Sequence, residues 1–160
     1  MKRNHIKGIF LMLAIPLLTL GFILSDEPET FKHDRKLRRS ETWWGLHFDR
    51  HVDPGDKNLG ATLTVEMVDS LINLARPDFI QVDCKGHPGI SSYPTKVGQQ
   101  AVSYDKDPLA VIRQVTDKHH VPLYMHYSGV QDQNYAKRFP DEARRDADGK
   151  PDGKNASLWG

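Results

Sequence analysis

Three short stretches of the chain alternate between apolar and polar side chains, and each turns polar toward its C-terminal end: Trp43–His51, Phe79–His87 and Pro122–Tyr127. A β-strand sends successive side chains to opposite faces. In the first stretch Trp44, Leu46 and Phe48 therefore share one face, and Trp43, Gly45, His47, Asp49 and, if the strand persists that far, His51 share the other. In the second, Ile80, Val82 and Cys84 oppose Gln81, Asp83 and Lys85; in the third, Val121, Leu123 and Met125 oppose Tyr124 and His126. One face is suited to covering helices, while the other gathers polar groups where the strands end. Parallel α/β barrels place their active sites at those C-terminal ends.

Helical spacing separates the stretches. Val65, Val68, Leu71, Ile72 and Ala75 fall on one side of a helix expected over Thr64–Ala75, with Thr62 or Thr64 as its cap and Pro77 ending it. Asp107 and Pro108 supply an N-cap and first-turn pair for a second helix reaching about Lys118, with Val111, Ile112 and Val115 turned inward. His119 and His120 follow in its last turn, at the opposite end from the polar clusters, and read as helix-end residues. Strands alternating with helices make the fold class α/β. The exit loop of the second strand, Cys84–Lys106, is far longer than an ordinary connection, and long loops at that end of a strand carry function. Beyond the third strand the chain is polar and rich in turn residues.

A closed barrel of this class needs eight strands and about 250 residues. At 160 residues the chain reads as the N-terminal three or so βα units of a (β/α)8 TIM barrel, truncated at the C-terminus. A complete three-stranded domain is the rival, and it would leave a parallel edge strand and unburied strand faces. Residues 1–25 pair a basic start with the uncharged run Gly8–Leu24, the pattern of a signal peptide or, if uncleaved, an N-terminal anchor. They imply export to the periplasm or the extracellular space, with membrane contact only through that segment. Residues 26–41 read as a charged linker and 42–160 as the partial barrel domain. Net charge is +1, and no aromatic residues interleave with the basic run Lys32–Arg39, so nucleic acid is not an expected partner. Cys84 is the only cysteine, which excludes an internal disulfide, and its apolar-face position points to a buried structural thiol.

The polar strand ends carry the candidate chemistry. His47, Asp49 and His51 can point into one cavity, with Asp83 and His126 near enough in the topology to join them. Such a set can hold zinc, as in metal-dependent amidohydrolases, or can hydrogen-bond the hydroxyls of a sugar. Polar substrate binding is the reading preferred here, with no metal and no cofactor. On the second strand Lys85 next to Asp83 is most simply an ion pair, and His87 extends the same polar side.

The runs WGLHFDRH, ARPDFIQVDCKGHPGISSYPTKVG and VPLYMHYSGVQD resemble the N-terminal third of a bacterial group of glycoside hydrolases related to α-L-fucosidases, a likeness covering about residues 42–160. In α-L-fucosidases a histidine at the end of the first strand and a Lys-His-His-Asp-Gly run at a later strand end contact the sugar. His47 matches the first; Lys85, His87 and Gly89 match the second, with Gly86 and Pro88 standing where that run has a histidine and the aspartate. The resemblance implies an exported glycosidase acting on oligo- or polysaccharides with two catalytic carboxyl groups, both expected beyond residue 160. Together with the strand-end clusters, it makes His47, Asp49, Asp83, Lys85, His87 and His126 the expected substrate-binding residues. A carbohydrate-binding remnant without catalysis is the non-enzymatic alternative.

Overall fold

The computed structural model describes residues 30–150. The expected signal or anchor over 1–25 lies outside them. Among the described residues no helix is long and apolar enough to cross a membrane.

The fold is mixed α/β with a sheet dominated by parallel pairing. In chain order its elements are β1 (Gly45–Phe48), α1 (Val65–Ala75), β2 (Phe79–Lys85), β3 (Ile90–Ser91), β4 (Gln99–Gln100), α2 (Pro108–Lys118), β5 (Leu123–Tyr127) and α3 (Gln133–Arg138). The core is β1, β2 and β5, with β2 in the middle and parallel to both neighbours. Leu46 lies opposite Ile80, and Ile80 opposite Leu123; at the far end Asp83 lies opposite His126. The outer edges of β1 and β5 have no strand partner among the described residues.

Both helices cover one face of this sheet. Val68 and Ile72 of α1, Ile112 and Val115 of α2, and Ile80, Val82 and Val121 form the buried core, with Leu46, Phe48 and Leu123 packed against it. Removing this apolar area from water, at roughly 25 cal/mol per Å², is what drives the two βα units together. Local signals set the helix ends. Thr64 Oγ1 accepts the Met67 N–H at 3.1 Å, and Asp107 Oδ1 accepts those of Leu109 at 2.9 Å and Ala110 at 3.1 Å. Arg76 closes α1 in the left-handed region, φ 47°.

Several expected bounds shift. The first strand stops at Phe48 instead of reaching His51, and the second stops at Lys85, ahead of Gly86 and His87. The long exit loop after β2 contains the short strands β3 and β4, and it is stitched to the loop after β1. Leu59 N–H donates to Ser103 O at 3.2 Å, Tyr104 OH donates to Ser91 O at 2.7 Å, and Val52, Ile90 and Ala101 bury together beneath. After the third strand Gln133–Arg138 form the short helix α3, and residues 139–150 beyond it are turns and loop.

The described part of the charged segment, residues 30–41, lies against the body of the fold. Phe31 N–H donates to Asn73 at 2.8 Å, His33 N–H to His119 O at 3.1 Å, and Lys36 pairs with Asp117. His119 is fully buried there, bonded to Asp69 at 2.7 Å and to Phe31 O. The two helix-end histidines thus tie the segment down at the end of the sheet away from the polar strand termini. Trp43, expected on the inner face of a barrel, is 94% exposed because it precedes β1 and no second layer covers that face among the described residues.

Candidate functional site

Asp83 is the centre of the polar strand ends. It lies on β2 with its side chain 3% exposed, and imidazoles from β1 and from the loop after it approach its two oxygens. His47 Nε2 is 2.9 Å from Oδ1, and His51 Nε2 is 3.3 Å from Oδ2. A carboxylate only accepts, so His47 carries its proton on Nε2 and donates it. The His47 side chain is itself 50% exposed, so its ring stays open to a ligand. A buried charge needs such partners to offset its lost hydration.

Around this centre the other residues assemble unevenly. Asp49 is exposed and 3.7 Å from His51 Nδ1, so His51 stands between two carboxylates. The His87 ring centre is 4.8 Å from that of His51, and the His126 ring centre is 6.3 Å from that of His47. His47, Asp49, His51, Asp83, His87 and His126 therefore share one surface at the C-terminal ends of β1, β2 and β5. Asp49, His51 and Asp83 each offer a ligand atom within 4.8 Å of the others, close enough for a cation to draw them together.

Lys85 goes elsewhere. The expected ion pair with Asp83 is absent: Lys85 Nζ bonds Asp132 Oδ2 at 2.7 Å, with both side chains buried, and sits 4.8 Å from the centre of the Tyr127 ring. The β2 to β5 register shifts between Asp83 and Lys85, and such an irregularity re-aims the side chain beyond it. Asp132 also caps α3, accepting the Tyr135 N–H at 2.7 Å. Burial, with Tyr93 and Asp132 nearby, raises the Tyr127 hydroxyl above its ordinary pKa.

Two glycines make room for this arrangement. A β-carbon at Gly86 would run into the His51 imidazole, so the bare backbone there is what admits His51 to Asp83. Gly89 has φ 83°, a conformation that favours glycine, and a β-carbon there would run into the Asp132 carboxylate. Beside Lys85 lies a cavity of about 130 Å³ lined by Tyr127, Asp132, Asn134, Arg138 and Gln99.

Asp132 was the functional neighbour that the strand pattern did not single out. Its signal was the capping position before a short helical run, in a stretch that reads as loop. Cys84 is buried as expected, and burial, then the Asp83 charge, push its thiol up to about 11. A buried thiol raised in this way is poorly suited to act as a nucleophile at neutral pH.

No family model matches the chain, and no curated protein matches it in sequence. Among solved structures it is similar to α-L-fucosidase isoenzyme 2 from Paenibacillus thiaminolyticus, with a TM-score of 0.63 and 18% identity. The match covers 71% of this chain and 17% of the fucosidase chain. At that identity the likeness is one of fold: this mixed α/β unit, with its parallel β1, β2 and β5, has the fold of a part of an α-L-fucosidase.

Proposed function

We propose that this chain supplies the substrate-binding side of an exported glycoside hydrolase of the α-L-fucosidase type, built on a (β/α)8 barrel. The observation that carries the reading is the convergence of His47, His51, His87 and His126 around buried Asp83 at the C-terminal ends of parallel strands. Imidazoles fixed by a buried carboxylate are suited to sugar hydroxyls, each of which donates and accepts. The fucosidase fold match, which covers 17% of that chain, and the outer edges of β1 and β5, unpaired among the described residues, support further strands flanking these in the whole protein.

Glycoside hydrolysis needs two carboxyl groups. Both oxygens of Asp83 face imidazoles, and Asp49 is an exposed loop residue, so neither is assigned that work. In this reading His47, Asp49, Asp83, Lys85, His87 and His126 position the sugar, and the reacting carboxyls come from strands that this chain does not supply. The reading is tested on the full-length protein with aryl glycosides of both anomers and several pyranoses. Hydrolysis of at least one, reduced by His47→Ala, is expected; no hydrolysis and no sugar binding across the set would overturn it. Export is supported by the N-terminal sequence pattern and is tested by N-terminal sequencing of the mature protein.

A second reading is favoured by the Asp49, His51 and Asp83 cluster: a metal-dependent hydrolase with His47 orienting Asp83. Near-stoichiometric zinc surviving dialysis, and lost in Asp83→Asn, would support it over the first.

A further inference from the structure

The cavity beside Lys85 has a charge balance that the neutral-sugar reading leaves unused. Its lining includes two cations, Lys85 and Arg138, against one carboxylate, Asp132. That carboxylate is already committed, with Oδ2 taken by Lys85 and Oδ1 by the Tyr135 N–H. Lys85 has three donors, and one of them is directed to Asp132. Arg138 makes no ion pair among the described residues; its guanidinium stacks on Phe139, 5.3 Å from the ring centre. Asn134 lines the same space. A planar guanidinium with no ion pair among the described residues, an asparagine, and an ammonium held in place by a buried partner form a set suited to a planar, oxygen-bearing anion.

The placement extends the site. Asp83 and Lys85 are two residues apart on β2, a rise of about 7 Å along a strand. The cavity and the histidine surface are thus both built on the C-terminal end of β2. An arginine in the last turn of a helix also favours the helix dipole, but that role does not require it to line a cavity.

We propose that this cavity receives the carboxylate of an acidic sugar, so that the ligand taken by this site is a uronic acid unit and not a neutral one. The proposal names the substrate class for the carbohydrate reading and rests on that reading; its charge preference is tested separately.

The full chain is titrated calorimetrically with glucuronate, with glucose as its neutral counterpart, and with acetate as the bare anion, and each titration is repeated on Arg138→Gln. Arg138 is exposed, so the unfolding temperature of the variant checks only that the fold is kept. The expected result is glucuronate bound about tenfold more tightly than glucose, with that preference abolished in Arg138→Gln and partly kept in Arg138→Lys. Equal affinity for the two sugars, or a preference untouched by Arg138→Gln, overturns the inference and leaves the carbohydrate reading standing. Acetate bound in an Arg138-dependent way without binding of either sugar shows an anion site but overturns its assignment to a uronic acid, leaving the carbohydrate reading to the aryl glycoside set. Binding of none of the three overturns the inference, and the carbohydrate reading is then decided by the aryl glycoside set.

Discussion

The imidazole of His51 occupies the space that a side chain at Gly86 would need. The two residues come from different loops, one after β1 and the other after β2, and their contact holds His51 against Asp83. Gly86 does not have a positive φ, so alanine fits the backbone there and the clash falls on His51. Gly86→Ala is expected to displace His51 and to cost about 1–3 kcal/mol, the usual cost of overpacking. Chemical denaturation of Gly86→Ala, His51→Ala and the double variant checks this: the double variant should recover part of the loss, a coupling of about 0.5 kcal/mol or more.

Lys85 and Asp132 form a buried pair, and removing one partner strands the other. Lys85→Met should destabilise the protein by about 3–5 kcal/mol. Replacing both, as Lys85→Met with Asp132→Leu, should cost much less, leaving mainly the lost α3 cap at about 1 kcal/mol. Urea denaturation midpoints of the single and double variants decide; additive losses would show that the pair is not coupled.

The Cys84 thiol is raised to about 11 by burial. A group raised in the folded state favours folding below its unfolded pKa, and that contribution is lost as pH rises through the folded value. Stability should therefore decline from about pH 8.5, the ordinary thiol value, toward 11, and decline less steeply in Cys84→Ala. A thiol reagent at neutral pH should label Cys84 only at the rate of unfolding.

Asp78 accepts the N–H groups of Trp43 at 2.8 Å and Trp44 at 3.0 Å, and these bonds hold its carboxyl below the usual value. The carboxylate pins the start of β1 to the turn before β2. Asp78→Ala should cost about 1.5–3 kcal/mol at neutral pH, the range for hydrogen bonds to a charged group. A lowered carboxyl contributes its stability above its unfolded pKa, and loses it as pH falls through the folded value. The gap between wild type and Asp78→Ala should accordingly close in acid, which thermal unfolding across pH 2–7 would measure.

Period-2 alternation was enough to place Ile80 and Val82 under the helices and Asp83 at the polar end of β2, because a strand leaves no other choice of face. Capping chemistry was equally legible in Thr64 and in Asp107 with Pro108, since those signals are local. What the alternation could not show is partnership. Asp83 and Lys85 share a face by parity, yet the register irregularity between them sends Lys85 to Asp132, 47 residues away in sequence. His51 lies beyond the end of β1, so its approach to Asp83 depends on a loop path that periodicity does not encode. Met125 lies opposite Val82 and shares its parity but is 64% exposed, so parity alone did not give its burial.

β2 is the strand with parallel partners on both edges, and it carries Asp83, Cys84 and Lys85. Its amides should therefore exchange with solvent deuterium only when the whole unit opens, while those of the loop holding Asp49 and His51 exchange through small local fluctuations. The floor of the site then persists as long as anything is folded, whereas its wall can come and go. A ligand that bridges His51 and Asp83 would show itself first as slowed exchange around His51, with β2 unchanged.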